Sequence, residues 1–155
     1  MANFDSNSMK DPAVAHPTTG IHIVDVRYVN GSTVVGTSDK LRLAYLPKGA
    51  KILPEFCRFW SDDVDPDSGA NLTLAMKVTD GTTTKTIIAA QAFQAVNTVV
   101  VPSAATTSAF VFFKTSNNDF YVYLEPAVGD LDASAEVFAR IAYTMDVSGR
   151  YETTT

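Results

Sequence analysis

Residues 136–147 read EVFARIAYTMDV. Val137, Ala139, Ile141, Tyr143, Met145 and Val147 alternate with Glu136, Phe138, Arg140, Ala142, Thr144 and Asp146. That period of two marks a strand with one buried face, because successive side chains of an extended chain point to opposite sides. Working back along the chain, the same pattern recurs. Leu72, Leu74, Met76 and Val78 alternate with Thr73, Ala75 and Lys77, and the turn DGTTTK follows. Leu41, Leu43 and Tyr45 alternate with Lys40, Arg42 and Ala44. IHIVDVRYV at 21–29 is β-branched and aromatic, and the Asn30-Gly31 that follows predicts a tight hairpin with STVVGT as its return strand, since both residues accept positive φ. NTVVVP, AFVFFKT and FYVYLEP complete the set, the last two joined across a turn at residues 116–119.

Two stretches resist that simple pattern. AKILPEFCRFW at 50–60 is apolar on both faces and contains Pro54, which confines it to a sheet edge or a bulge. TIIAAQAFQAV at 86–96 permits a short helix, a strand or an irregular crossover. Short strands divided by turn clusters, with at most one short helix, predict an all-β fold: a single β-sandwich, jelly-roll-like, over residues 21–148. Residues 1–20 are small, polar and aperiodic, so they are expected to form an extended N-terminal arm whose order comes from a partner. Residues 149–155 read as a polar C-terminal tail.

Composition narrows the function. A chain of 155 residues is long enough to bury a core without a disulfide or metal. Its lone Cys57, next to Phe56 and close to Phe59 and Trp60, reads as a small core hydrophobe. A net charge of -5 offers no basic face for phosphates, so nucleic acid is not an expected partner. The first twenty residues lack the basic and apolar regions of a secretory signal, and no run is long enough to span a membrane, so synthesis in a host cytoplasm is expected and no membrane partner.

Catalytic constellations are scarce. His16 falls in the arm, and His22 near Asp25 is the one histidine and acid pair with a conceivable general-base role. No nucleophile elbow, phosphate loop, dinucleotide fingerprint or zinc spacing occurs, so no enzyme, cofactor or resident metal is expected. The densest polar feature is SDDVDPDSGAN, where Asp63, Asp65 and Asp67 imitate the first half of a calcium loop. Pro66 interrupts it, Gly69 falls one place late, and the twelfth position from Asp63 is Leu74 instead of a bidentate glutamate, so a solvated acidic turn is the better account. Tyr121 and Tyr123 would share one face of a strand, and Trp60 adjoins the acidic turn. These three aromatics are the candidate interaction residues, for a subunit contact or for a sugar.

The succession of an alternating strand, Leu-Pro-Lys-Gly-Ala-Lys-Ile-Leu (Leu46 to Leu53), an apolar strand, an acidic loop and a second alternating strand (Asp62 to Val78) resembles small virion structural proteins of tailed bacteriophages, several of which are capsid decoration, or cement, proteins. The resemblance spans residues 40–115 and carries no residue-level role. It implies a β-sandwich on the exterior of the virion capsid, bound to the major capsid protein, self-associating as a homo-oligomer (trimer or dimer), with a terminus reaching over its neighbours. A tail or head-fibre base protein, and a carbohydrate-binding module, are the alternatives.

Overall fold

A computed structural model of the chain describes residues 3–5, 20–47, 50–61, 72–93, 99–103, 111–112 and 121–145. Its strands are β1 (Asn3–Asp5), β2 (Ile21–Val29), β3 (Lys40–Tyr45), β4 (Ala50–Ile52), β5 (Arg58–Trp60), β6 (Thr73–Thr79), β7 (Thr84–Ala92), β8 (Val111–Phe112), β9 (Tyr121–Val128) and β10 (Glu136–Met145). A 3₁₀ turn, Pro54–Phe56, separates β4 from β5. One sheet runs β1-β3-β9-β6-β7 and the other β2-β10-β4-β8, with β5 also on β10. The two sheets face each other as a β-sandwich, and the predicted all-β class is what the chain adopts.

The ladders are nested. β2 pairs with β10, β3 with β9, β4 with β8 and β6 with β7, all antiparallel. β2 and β3 fall in opposite sheets, as do most neighbours in sequence except β4–β5 and β6–β7, so the Asn30-Gly31 hairpin does not form. All nine residues of β2 pair with β10 instead, while 32–37 supply one bridge, Val35 to Leu131. Pairing with β10 sets Val26 and Tyr28 opposite Ala139 and Val137, all buried, an apolar return that STVVGT cannot match. Neither Asn30 nor Gly31 is among the residues with positive φ. Asn30 is buried and works as a side-chain tie: its Nδ2 donates to the Asp132 carbonyl at 2.6 Å and its Oδ1 accepts from the Tyr28 hydroxyl at 3.1 Å. The Asp80-Gly81 turn does form, with Gly81 at φ 86 and the Asp80 carboxylate accepting from the amides of Thr82 and Thr83.

The ambiguous 86–96 stretch is strand to Ala92, and two register shifts against β6 let the adjacent Ile87 and Ile88 both be buried. In β3, a shift between Arg42 and Ala44 bulges the strand at Leu43, so Leu41, Leu43 and Ala44 are all buried and Tyr45 is sent to the opposite face. Strict alternation had put Ala44 outside and Tyr45 inside. The corner after β3 carries the chain from one sheet to the other, and the Ala50 amide closes it on the Pro47 carbonyl at 3.1 Å.

β10 is the spine of its sheet. Val137, Ala139 and Ile141 are fully buried and Tyr143 nearly so, as the alternation predicts; Val147 lies outside the described residues. On the side away from β2, β5 pairs with residues 138–140 and β4 with 143–145, which leaves Ile141 and Ala142 opposite the interruption made by Pro54. The thiol of Cys57 closes that gap: it donates to the Leu53 carbonyl at 3.3 Å and its sulfur accepts the Ala142 amide at 3.5 Å. Burial pushes the thiol up to about 11, so it is protonated at neutral pH and no nucleophile.

The arm departs from expectation where it is described. Asn3–Asp5 pair in parallel with Lys40–Arg42, and Phe4 packs against the core, so this piece is ordered by its own domain instead of by a partner. Deleting residues 2–19 should therefore lower the melting temperature of the free protein. Phe4→Ala alone should cost about 1 to 2 kcal/mol, less than the ~2 to 5 kcal/mol of Ile141→Ala in the closed core, as read by chemical denaturation. Cys57 carries a second expectation. Its folded pKa lies above its ordinary 9.0, so the stability it contributes is complete below pH 9 and falls as pH rises toward 11. That loss amounts to roughly 2 to 3 kcal/mol, and a Cys57→Ala variant should lack it.

Candidate interaction surface

The outward residues of β2, β10 and β5 form a continuous face. Phe138 stands opposite Arg27 on one side and Trp60 on the other, and Arg140 stands between Asp25 and Arg58. Trp60 stacks on Phe138 with centroids 5.6 Å apart and planes 10° from parallel, and the Arg58 guanidinium lies 5.5 Å from the Trp60 ring. Arg140 grips Asp25 through two hydrogen bonds of 2.6 and 2.8 Å, and Arg27 pairs with Glu136. Between these groups lies a shallow depression of about 250 Å³ lined by Asp25, Val26, Arg27, Trp60, Phe138 and Arg140. A second, of about 230 Å³, runs from Ile23 past Phe56 and Arg58 to Val101. Ile21, Ile23, Phe56, Val99 and Val101 are each at least half exposed. Aromatic rings, arginines and open aliphatic side chains on one sheet face make a composition suited to protein contact.

The outer face of the other sheet is closed. Tyr121 and Tyr123 do share a face, but they are 9% and 1% exposed. Tyr45, brought there by the β3 bulge, meets Tyr121 edge-on at 6.0 Å, and Tyr121 leans on Tyr123 at 5.8 Å. Lys40 and Arg42 lie over the rings of Tyr123 and Tyr121 at 4.8 and 5.8 Å, and Lys77 pairs with Glu125 beside them. Burial raises the Tyr123 phenol above its ordinary value, the side-chain hydrogen bond with Thr84 opposing it. Rings so covered cannot stack on a sugar without rearrangement.

Of the remaining sequence candidates, Asp63, Asp65 and Asp67 lie outside the described residues, as does His16. His22 and Asp25 do not meet as an acid–base pair. They are three positions apart on a regular strand and so fall on opposite faces; His22 stacks on Tyr143 at 5.2 Å, and Asp25 binds Arg140. Trp60 alone of the three aromatics is part of the open face. Sequence reasoning missed Phe138, Arg140 and Arg27, although Phe138 was visible as the one large apolar residue on the polar side of the β10 alternation.

No family model matches the sequence, and no curated protein matches it. The fold is similar to a chain in the capsid of Ralstonia phage GP4, with a TM-score of 0.62 and 16% identity over 94% of this chain and 99% of that one. A chain in the cyanophage Pam1 capsid asymmetric unit aligns at 18% identity over 88% of this chain and 96% of that one, with a TM-score of 0.48.

The Arg140 hydrogen bonds, opposed by partial desolvation, hold the Asp25 carboxyl below its ordinary 3.8. A depressed carboxylate stabilises the fold above that ordinary value and ceases to as pH falls through the lower folded one. The wild type should therefore exceed Asp25→Asn in urea midpoint at neutral pH, and the gap should narrow below pH 3.8 and with added salt.

Proposed function

We propose that this chain is a non-enzymatic structural protein of a bacteriophage virion, a decoration or cement protein that binds the shell of major capsid protein from outside. The observation that carries this reading is the likeness, over nearly the whole of both chains, to a chain in the capsid of Ralstonia phage GP4. Because 94% of this chain aligns with 99% of that one, the two are nearly equal in length, as fits an accessory subunit of the same compact form. The nested ladders support the finer description of the fold as a jelly roll: leaving β1 aside, β2-β10-β4-β8 stacks on β3-β9-β6-β7.

Charge favours the exterior. A chain of net charge -5 is repelled by packaged nucleic acid, which disfavours a place lining the head interior. The face around Trp60, Phe138 and Arg140 offers the aromatic and guanidinium groups that anchor a protein partner, and the major capsid protein is the partner assigned to it.

The test is reconstitution. Particles assembled without this chain should bind the purified protein in a fixed stoichiometry over the head, and the decorated heads should release their genome at a higher temperature. Trp60→Ala, which keeps the core intact, should weaken that binding. Label confined to the tail or to a single vertex would transfer the protein to a tail or head-fibre base, and no retention on any particle would end the virion reading.

A further inference from the structure

Among the described residues one sheet ends in β1 and β7 and the other in β2 and β8, with the three-residue β5 beside β4 covered by the Phe59–Val100 bridge. β1 has three residues and β8 two, too short to template a partner. β7 is long, but its ladder is broken by register shifts and it carries Lys85, two common protections of an edge. β2 has neither. It runs nine residues in unbroken register with β10 and contains no proline, glycine or lysine.

One bond shows which of its backbone groups are open. The Asn30 amide donates to the Ala135 carbonyl at 2.8 Å, in register with the β2·β10 ladder. In an antiparallel ladder every second residue bonds to the partner, so Tyr28, Val26, Val24 and His22 face β10. Val29, Arg27, Asp25, Ile23 and Ile21 turn their N–H and C=O groups to the free edge. Their side chains lie on the outer face, with Ile21, Ile23 and Val29 exposed by 56%, 55% and 54%.

We propose that β2 is a self-association strand: two copies of this chain pair β2 to β2 antiparallel about a two-fold axis at Val26, with Asp25 of each copy opposite Arg27 of the other. Charge complementarity selects this register. Residues of like backbone orientation stand opposite one another, so the axis falls on a residue, and the registers that retain most of the strand place it at Val24, Asp25 or Val26. An axis at Asp25 sets two aspartates face to face, and one at Val24 sets Asp25 against Ile23 and Arg27 against Ile21, with no ion pair. The axis at Val26 gives two Asp25–Arg27 pairs and two Ile23–Val29 pairs. It also extends the ion pairs already present into one alternating row: Glu136 and Arg27 of one copy, then Asp25 and Arg140 of the second. The pairing joins two sheets edge to edge beside the Trp60 depression, whose rim Asp25 and Arg27 also form. It does not rest on the capsid reading.

The full chain in sedimentation equilibrium should show twice its 16.7 kDa mass. Asp25→Arg and Arg27→Asp should each sediment as monomers, since each alone places like charges opposite. Mixed in equal amounts they should restore the doubled mass, because one copy then carries two arginines and the other two aspartates. A monomeric wild type, a three-fold mass, or single variants that stay dimeric would overturn the proposal, and so would a mixture that fails to associate. If either variant loses its melting transition, Ile23→Lys, which touches neither ion pair, decides: a monomer supports β2 pairing and a dimer overturns it. Should the free wild type be monomeric and the β2 amides become protected from hydrogen exchange only on capsid particles, the strand's occupant is another protein and self-pairing is wrong.

Discussion

Everything in this fold hangs on the ladder that joins the first long strand to the last. Arg27 and Glu136, 109 positions apart, meet on it, and the remaining ladders nest inside it, β3 with β9, β4 with β8 and β6 with β7. Closing so long a loop costs chain entropy before any contact returns it, so folding depends on a strand able to compensate at once. β10 is that strand. Its odd-numbered residues bond to β2 and bury Val137, Ala139 and Ile141, while its even-numbered residues bond to β5 and to the β4 side. Where Pro54 breaks the second ladder, the Cys57 sulfur takes up the Ala142 amide that would otherwise be stranded.

Being central on β10 also separates the two outer faces in character. On the β3–β9 sheet, the bulge at Leu43 swings Tyr45 outward to meet Tyr121, and basic side chains lie across the rings. That surface is satisfied by its own residues. On the β2–β10 sheet, Trp60 and Phe138 stack with each other and remain partly open, flanked by Asp25, Arg27 and Arg140. A partner that displaces water from these rings gains apolar burial and finds charges already held in place by their neighbours, which lowers the ordering cost of binding. The open face and the open β2 edge adjoin, so the molecule presents an aromatic and charged surface and, beside it, a separate line of backbone groups.

How much of this was legible follows from the range of each interaction. Alternation in β6 and β10 depends only on neighbours along the chain, and the amino-acid order alone identified their buried faces, the all-β class, the Asp80-Gly81 turn and the core character of Cys57. The net negative charge was equally a matter of composition. Pairing was not. Asn30-Gly31 carries a strong local preference for a hairpin, but the return strand on offer buries less than β10 does, and β10 lies more than a hundred residues away. The bulge in β3 depends on the register of β9, so only the assembled sheet decided that Tyr45 faces out and that Tyr121 and Tyr123 are covered. Phe4 found its place for a like reason: a short polar segment has no fold of its own, and the edge of β3 supplied one. Amino-acid order thus determined which side chains must be hidden, because burial preference belongs to each residue; the tertiary structure decided which residues hide one another and which rings and edges stay open, because that depends on partners distant in the chain.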